Sequence, residues 1–454
     1  MDIRTLFVAN RGEIAVRIIR AARELGIETV QAYSAADSDS LAVRLADRAV
    51  EIGPPQAARS YLNIETLVTA ARESGADAVH PGYGFLAENA RFAEAVEAAG
   101  LVFVGPRADT IRIMGDKVAA RAAAAKAGVP TVPGSDGRVE DLDRGRAIAA
   151  EIGFPVMIKA AAGGGGRGIR IAHDPQEFDH FFALAQTEAE SAFGDGGLYI
   201  EKVIERARHI EVQVLGDGTD VVHCFERECS LQRRRQKLWE EAPSAALDAD
   251  TRARLCDSAV ALARSVTYRG AGTLEYLYDD ASGDFFFIEM NTRIQVEHPV
   301  TEWVTGIDLV REMIRVAGGE KLRLRQEEIG MRGHAIEVRI NAEDPANGFF
   351  PCPGRIEEVR VPGGPGVRFD TLLYPGYAIP PFYDSLLGKL IVWGEDRGHA
   401  IDRLRRALRE LEISGVKTTA PLYAELADDS DVRVGAVHTR WLERWLELNG
   451  SRLA

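Results

Sequence analysis

The chain has 454 residues and 46% hydrophobic content, so it can bury an extensive core. A single core stops growing well before this length, and we therefore expect two or three domains or lobes. The formal net charge of −14 is spread along the chain, which disfavours general binding to nucleic acid or to anionic membranes.

Targeting and membrane signals are missing from the sequence. The N-terminus has no signal-peptide hydrophobic region, and no run approaches the roughly 18–20 apolar residues that span a bilayer. No two of the four cysteines form a C-x-x-C pair, which predicts reduced thiols in a cytoplasmic protein and no zinc site or disulfide framework. They are Cys224, Cys229, Cys256 and Cys352.

The first 115 residues alternate between strand and helix patterns. An amphipathic helix is predicted at Ile14–Leu25, and together the patterns predict a βαβ sheet domain that ends near Gly115. The first turn, Asn10–Glu13, has one glycine and no G-x-G-x-x-G, which disfavours a NAD-dependent dehydrogenase. The predicted strands are Thr5–Ala9, Glu28–Tyr33, Ala78–His80 and Val102–Val104.

The remaining chain begins with an Ala-rich helix, Lys117–Ala127, which Gly128-Val129-Pro130 ends. A compact segment then reaches about residue 204, and a strand-rich part follows until about Trp393. The last clear helix has apolar residues at helical spacing and is expected to pack on the core. These residues are Ile401, Leu404, Leu408 and Leu411.

A glycine-rich loop lies between two predicted strands. Pro155–Lys159 leads into three alanines and four glycines at 163–166, and Ile169–Ile171 leaves as a strand. The backbone N–H groups of such a loop can approach phosphate oxygens closely. A Walker A loop is excluded, because it requires Gly-Lys-Ser/Thr leading into a helix. Since ordering four glycines costs much chain entropy, we favour a phosphate-binding lid over a plain hairpin tip.

A predicted hairpin at 273–291 brings two acidic residues together. Directly opposed side chains have Cβ atoms only about 4.5–5.5 Å apart, so like charges there require a cation between them. Mg²⁺ is the natural candidate, because one or two carboxylates and substrate phosphates usually hold it. A turn centred on Ser282 gives three cross-strand pairs: Asp279 with Phe285, Leu277 with Phe287, and Glu275 with Glu289.

The polar face of this hairpin continues along the chain. An extended backbone points side chains of one parity to one side, and the residues that share the parity of Glu289 are Asn291, Arg293, Gln295 and Glu297. A solvated strand face more often carries Thr, Lys and Ser. A second strand, Ile336–Asn341, repeats the pattern with Arg339. We interpret both as the face of an active site.

Basic residues are concentrated at 233–237 inside an acidic protein. Such a run is often a solvated loop, but beside an anion site we expect one or two of its cations to be functional. Lys117 and Lys202 are weaker candidates on their own. His209 precedes an alternating strand, and its spacing fits a packed histidine as well as a site residue.

Together these motifs resemble the ATP-grasp superfamily and, within it, the biotin carboxylases, which carboxylate biotin in acyl-CoA carboxylases. The resemblance covers nearly the whole chain from Ala9–Ala15 onward, and its most specific motif is Phe287–His298. The other matching motifs are the glycine loop, His80–Leu86, Gly105-Pro106, Met114–Lys117, Val132–Gly134, Gln232–Arg234, Gln236-Lys237 and Glu240–Pro243.

The resemblance implies an α/β protein with an ATP-grasp fold. The implied domains are a Rossmann-like N-terminal (pre-ATP-grasp) domain at 1–115, a mobile lid with the glycine loop at 116–204, a catalytic lobe at 205–330, and a mixed α+β C-terminal domain at 331–446.

For the nucleotide and metal, the resemblance implies that ATP lies between the lid and the catalytic lobe. Two Mg²⁺ ions, with Mn²⁺ as an alternative, are expected on Glu275, Glu289 and Asn291. The implied ATP-binding residues are Lys117, Lys159, Gly164, Gly165, Gly166, Glu201, Lys202, Ile204, His209 and Gln232, with Glu201 and Ile204 near the adenine.

For the reaction, the resemblance implies that bicarbonate attacks the γ-phosphorus of ATP to give carboxyphosphate, which collapses to CO₂ and phosphate. Phosphate then takes the N1′ proton of biotin, and Arg339 stabilises the enolate-like biotin that attacks CO₂. Glu297 would deprotonate bicarbonate. The implied bicarbonate ligands are Lys237, Arg293, Gln295 and Val296.

Two positions depart from the family pattern. Arg235 stands where relatives often carry His or Asn near the ribose, so nucleotide affinity is in question. Pro365 stands where some bacterial relatives place a dimer-interface aromatic, although Arg20, Glu24 and Arg368 match other interface positions. A homodimer therefore stays open.

The expected partners are inferred from a missing motif. Biotinylated domains present their lysine as Met-Lys-Met, and no methionine here precedes a lysine. We therefore expect biotinyl-lysine to arrive on a separate biotin carboxyl carrier protein and a carboxyltransferase subunit to complete the reaction. An acetyl-CoA carboxylase of fatty acid biosynthesis is the expected setting, but the sequence does not identify the final carboxyl acceptor.

Two alternatives remain. The chain could be another ATP-grasp ligase that joins a different carboxylate to an amine through an acyl phosphate, against which Arg339 and the 293–297 group argue. It could also be a non-catalytic nucleotide-binding subunit that tethers a carrier, against which the intact acidic residues and Lys237 argue.

Overall fold

The computed structural model describes residues 2–160, 170–193 and 196–453. The predicted glycine loop, with Gly164, Gly165 and Gly166, lies outside the described residues. No helix within the described ranges is long and apolar enough to cross a membrane.

A five-stranded parallel sheet forms the N-terminal part, in the order β3-β2-β1-β4-β5. Its inner strands are buried on both faces, as in parallel sheets that helices cover. The four strands predicted from the sequence are confirmed to within one residue at each end. In chain order this part contains β1 (Thr5–Val8), α1 (Gly12–Glu24), β2 (Glu28–Tyr33), α2 (Leu41–Leu45), β3 (Arg48–Glu51), α3 (Ile64–Glu73), β4 (Ala78–His80), α4 (Ala90–Ala98), β5 (Val102–Phe103) and α5 (Ala108–Gly115).

A small antiparallel sheet, ordered β7-β6-β8, comes next along the chain. Two strands therefore flank the glycine loop, as the sequence predicts. Gly145 lets α7 approach α8, because a Cβ there would lie 2.9 Å from the Phe182 ring. The elements are α6 (Lys117–Lys126), α7 (Leu142–Ile152), β6 (Val156–Ala160), β7 (Arg170–Ala172), α8 (Pro175–Phe193) and β8 (Leu198–Lys202).

An eight-stranded antiparallel sheet, β13-β12-β9-β10-β11-β14-β19-β18, dominates the rest of the chain. It continues without interruption across residue 330, where the family resemblance implies a domain boundary. Its elements up to β14 are β9 (Ala207–Asp217), β10 (Val221–Arg233), β11 (Gln236–Ala242), α9 (Ala249–Ser265), β12 (Arg269–Asp279), β13 (Phe285–Asn291), α10 (His298–Thr305), α11 (Leu309–Ala317) and β14 (His334–Asn341).

The C-terminal part adds helices that the sequence did not reveal. Helix α12 contains most of the predicted apolar face, but three short helices come after it and fill the same core with Leu422, Leu426 and Trp445. Helices of five to nine residues complete few turns and show little periodicity. The elements are β15 (Glu343–Asp344), β16 (Phe350–Pro351), β17 (Val359–Arg360), β18 (Val367–Thr371), β19 (Leu386–Gly394), α12 (Arg397–Glu410), β20 (Glu412–Ile413), α13 (Ala420–Asp428), α14 (Ser430–Val434) and α15 (Trp441–Asn449).

The hairpin of β12 and β13 corrects part of the predicted register. Glu275 does lie opposite Glu289, as predicted, but the pairs nearer the turn were wrong. A bulge at Ile288 on β13 shifts the register by one residue. The turn also lies one residue away from its predicted position. The bulge and the displaced turn offset each other, so the Glu275–Glu289 pair was predicted correctly. The observed pairs are Tyr276 with Phe287, Leu277 with Phe286, and Tyr278 with Phe285.

A buried ionic network joins three parts of the chain. Glu302 on α10 accepts from Arg17 of α1 at 3.0 Å and from Arg368 of β18 at 2.7 Å. Its Oε1 also accepts from the backbone N–H of Leu309 at the start of α11. The N-terminal, middle and C-terminal elements are thereby joined through one carboxylate.

Candidate active site

A cavity of about 1190 Å³ lies over the polar face of the eight-stranded sheet. It brings together most of the residues that the sequence predicts as site residues, although they are spread over several strands, the start of α6 and the turn before α10. These are Lys117, Lys159, His209, Gln232, Lys237, Glu275, Glu289, Asn291, Arg293, Gln295, Val296, Glu297 and Arg339.

Three predicted nucleotide residues, Glu201, Lys202 and Ile204, do not line this cavity. Glu201 on β8 binds Lys159, which does line the cavity, and Arg121 at 2.9 Å. Lys202 points its Nζ toward the carbonyl of Ile152, and Ile204 is buried. Of these residues, only Lys159 has a place in the cavity wall.

The ammonium of Lys237 lies at the centre of three carboxylates. Its Nζ is 2.5 Å from Glu211 Oε2, 2.9 Å from Glu275 Oε1 and 2.7 Å from Glu297 Oε1. Burial lowers the pKa of Lys237, but the charges of Glu211 and Glu297 outweigh it and raise the pKa well above its usual value. Lys237 is therefore a permanent cation in a position to bind an anion.

Glu297 lies between two cations. Its second oxygen, Oε2, accepts from Arg339 Nη2 at 3.0 Å, and Arg339 Nε donates to Glu240 at 2.6 Å. Burial raises the pKa of Glu297, but the nearby Lys237 and Arg339 charges lower it overall. Glu297 is therefore ionised at neutral pH and can accept a proton.

The opposed pair Glu275 and Glu289 supplies hard oxygen ligands suited to Mg²⁺. Burial and the charge of Glu275 raise the pKa of Glu289, as expected for two carboxylates that face each other. Asn291 donates to Glu275 Oε1 at 2.9 Å. His209 lies 3.1 Å from Glu275; burial lowers the pKa of His209, but the charge of Glu275 raises it overall to about 9.

The polar ladder after Glu289 faces the cavity as predicted, but it is not one strand. Strand β13 ends at Asn291, and Glu297 is the residue before α10. Pro299 in the first turn of α10 was the signal for this helix, because proline fits the start of a helix and not a central strand. The carbonyl of Val296 accepts from the buried Lys389 at 2.8 Å, which fixes the turn.

Several residues of the site were missed or only partly recognised from the sequence. Glu88 holds Arg293 at 3.0 Å from the N-terminal part, and no local pattern marks it. Glu211 lies on an alternating strand, which was a usable signal. In the basic run, Arg234 and Arg235 line the cavity at a turn with positive φ angles of 48° and 67°.

Comparisons with known proteins agree with this geometry. Family models match residues 2–111 (Biotin carboxylase, N-terminal domain), 116–325 (Carbamoyl-phosphate synthase L chain, ATP binding domain) and 337–444 (Biotin carboxylase C-terminal domain). A biotin carboxylase of Nostoc sp. is 55% identical over 444 residues, which are 98% of this chain and 99% of that protein. The chain belongs to the biotin carboxylase family. It is accordingly an ATP-dependent ligase with an ATP-grasp fold.

Solved structures of the family superpose on nearly the whole chain. The biotin carboxylase domain of a thermophilic 2-oxoglutarate carboxylase, bound to ADP, has a TM-score of 0.93 and 50% identity and covers 99% of both chains. The biotin carboxylase domain dimer of the Hydrogenobacter thermophilus 2-oxoglutarate carboxylase has a TM-score of 0.87, 50% identity and the same coverage. That dimer is in complex with MgADP, ADP and bicarbonate.

Proposed function

We propose that this biotin carboxylase uses Mg-ATP and bicarbonate to carboxylate the biotinyl-lysine of a separate carrier protein. The observation that carries the proposal is the position of Glu297, whose two oxygens are held by Lys237 at 2.7 Å and by Arg339 at 3.0 Å. A base between two cations matches a reaction in which one anion is deprotonated and a second negative charge develops beside it.

Glu275, Glu289 and Asn291 are the proposed metal-binding residues. Two carboxylates and one amide oxygen match the donors that Mg²⁺ prefers, and the raised pKa of Glu289 indicates a position that gains from a cation. We propose two ions. Titration with Mg²⁺ and with Mn²⁺ tests their number and identity. When bound, the metal neutralises charge on the ATP phosphates and on the transferring phosphoryl group.

In the proposed first step, Lys237, Arg293, Gln295 and the backbone of Val296 hold bicarbonate. Glu297 accepts its proton, and a bicarbonate oxygen forms a bond to the γ-phosphorus while the bond to ADP breaks. The products are ADP and carboxyphosphate. Catalysis here rests on positioning and charge neutralisation, because the protein itself forms no covalent bond.

In the proposed second step, carboxyphosphate breaks into CO₂ and phosphate, and phosphate removes the N1′ proton of biotin. Arg339 stabilises the negative charge on the ureido oxygen while N1′ forms a bond to CO₂. Glu240 binds Arg339 Nε and thereby keeps its outer nitrogens directed to the cavity.

The ATP site is proposed at the cavity wall and the lid. Lys117, Lys159, His209 and Gln232 are supported by their place in the cavity lining, whereas Glu201, Lys202 and Ile204 would join them if the lid moves toward the sheet. The domain division at 115, 204 and 330 is part of the same proposal.

The proposed partners are a biotin carboxyl carrier protein and a carboxyltransferase subunit. The carboxyl acceptor, whether acetyl-CoA, another acyl-CoA or a keto acid, depends on that transferase, and the family structures from a 2-oxoglutarate carboxylase keep a keto acid in consideration. A homodimer and a cytoplasmic location complete the proposal, and the four free thiols are consistent with a reducing compartment.

The test is ADP release by the purified protein, measured with and without bicarbonate and with and without free biotin. Biotin-stimulated, bicarbonate-dependent turnover that Glu297→Ala abolishes is expected, with Arg339→Ala retaining ATP turnover but losing biotin carboxylation. ATP turnover indifferent to bicarbonate and biotin would favour a different carboxylate–amine ligase. No turnover at all would favour a nucleotide-binding subunit.

A further inference from the structure

Arg227 on β10 is completely buried behind the wall of the cavity. Its guanidinium has five N–H donors in a planar fork, and each of them has its own acceptor. The acceptors are Glu211 Oε1 at 2.5 Å, Gln213 Oε1 at 2.7 Å, Thr301 Oγ1 at 3.0 Å, Thr273 Oγ1 at 3.1 Å and Gln295 Oε1 at 2.9 Å.

Two of these five acceptors connect Arg227 to the proposed bicarbonate site: Gln295 belongs to it, and Glu211 contacts its Lys237. Glu211 uses its other oxygen to hold the ammonium of Lys237 at 2.5 Å. Gln295 donates through Nε2 to Glu275 at 2.8 Å. Arg227 thus contacts Glu211, which holds the Lys237 ammonium, and the amide of Gln295. It does not line the cavity itself.

The guanidinium also fixes which way the amide of Gln295 points. A guanidinium can only donate, so the atom of Gln295 that faces Arg227 must be its oxygen. The NH₂ group then points toward Glu275 and the cavity. If Arg227 were replaced, the amide could rotate and present an acceptor where a donor is needed to bind an anion.

Charge balance gives Arg227 a second effect. Three carboxylates surround Lys237, and Glu211 is the one that Arg227 neutralises from behind. That neutralisation keeps the Glu211 carboxylate ionised and in place, so that its other oxygen can orient the Lys237 ammonium. A lysine at 227 keeps the charge but cannot reach five acceptors in one plane.

We propose that Arg227 is a positioning residue of the bicarbonate site, acting through Glu211 on Lys237 and directly on the amide of Gln295. The inference rests on the proposed function, because it assumes that bicarbonate binds at Lys237 and Gln295. It predicts a selective defect in bicarbonate use, not a general loss of activity.

The experiment measures kcat and the KM values for bicarbonate and for ATP in wild type, Arg227→Lys and Glu211→Gln. Both variants are expected to raise the bicarbonate KM about tenfold or more, as loss of supporting hydrogen bonds does at other sites, while the ATP KM changes less than about twofold. Arg252→Lys is the matched control, because Arg252 binds Glu226 at 2.8 Å and two carbonyls away from the cavity.

A double-mutant cycle separates positioning from simple destabilisation. If Arg227 acts partly through Glu211, the double variant raises the bicarbonate KM by less than the product of the two single effects. Arg227→Lys that raises both KM values equally, or that only lowers the melting temperature as Arg252→Lys does, would overturn the proposal. Should Arg227→Lys not fold, the isosteric Glu211→Gln decides, and an unchanged bicarbonate KM in that variant overturns it.

The controls also distinguish this inference from the proposed function. Wild-type ADP release that does not depend on bicarbonate would overturn the proposed function itself. Bicarbonate-dependent wild-type turnover with a normal bicarbonate KM in the variants would overturn only the role of Arg227.

Discussion

Several buried carboxylates of the eight-stranded sheet are paired with cations. Glu297 has Lys237 and Arg339, Glu211 has Arg227, and Glu241 has Arg397. An ionised carboxylate is tolerated in a protein interior only when it is paired and hydrogen-bonded. Removal of one partner therefore destabilises the folded state by more than the intact pair stabilises it. Single substitutions at these pairs are expected to be strongly destabilising.

Glu241 provides a test of this pairing through pH. Burial raises its pKa, but Arg397 and His334 lower it overall to about 2, below the ordinary 4.5. The ionised carboxylate thus stabilises the folded state above about pH 4.5, and this contribution is lost as pH falls toward 2. The shift corresponds to about 3 kcal/mol at neutral pH.

We expect Glu241→Gln to lower the free energy of unfolding strongly at pH 7 and much less near pH 3, measured by urea denaturation. The exposed Glu410, which binds Arg406, is the control, and Glu410→Gln should leave the free energy of unfolding nearly unchanged, because exposed ion pairs contribute little. A Glu241→Gln deficit that is the same at both pH values would contradict the prediction.

At the scale of elements, the hairpin of β12 and β13 carries the proposed metal-binding residues at positions that destabilise the hairpin itself. Its opposed Glu275 and Glu289 repel each other, and the bulge at Ile288 is what places them opposite. Like charges directly across two strands destabilise the pairing. The hairpin is therefore expected to be more stable with a divalent cation than without one.

We predict that Glu289→Gln stabilises the metal-free protein by about 0.5 kcal/mol, because it removes the repulsion. The same variant should lose the rise in melting temperature that Mg²⁺ with ADP gives the wild type. Thermal unfolding in EDTA and in Mg-ADP measures both effects. Asp284→Asn, in the exposed turn of the same hairpin, serves as control and should retain the Mg-ADP response.

The sequence predicted much of this hairpin and less of the segment after it. Alternation and a glycine turn are local signals, and they identified the strands and the Glu275–Glu289 pair. The bulge has no local signature, so the register near the turn was wrong. Parity correctly placed Arg293 and Glu297 on the cavity side, but Pro299 was overlooked as the start of a helix. Contacts such as Glu88 with Arg293 depend on tertiary packing across 205 positions and leave no periodic trace.

At the scale of the whole molecule, Glu302 joins α1, α10 and β18 through two arginines. Both arginines are largely buried and have acidic second partners, Asp308 and Asp370. Without Glu302, the guanidiniums of Arg17 and Arg368 would lie close together with less negative charge between them, and they would repel each other.

We expect Glu302→Ala to lower the free energy of unfolding by about 3 kcal/mol, in the range found when one partner of a buried ion pair is removed. Glu302→Gln keeps the volume and one acceptor and should lose less. Urea denaturation followed by tryptophan fluorescence is the measurement. A loss under about 1 kcal/mol for the alanine variant would show that the solvent compensates for the missing carboxylate.

The unbroken eight-stranded sheet has a consequence for dissecting the protein. Strand β14, which carries Arg339, pairs with β11 on one side and β19 on the other. A fragment ending at residue 330 would leave the hydrogen-bonding edge of β11 open along Trp239–Ala242, and exposed central strands invite pairing between molecules. Such a fragment is expected to aggregate. The regions at 116–325 and 337–444, which separate family models match, are therefore expected to remain in solution only when they are together.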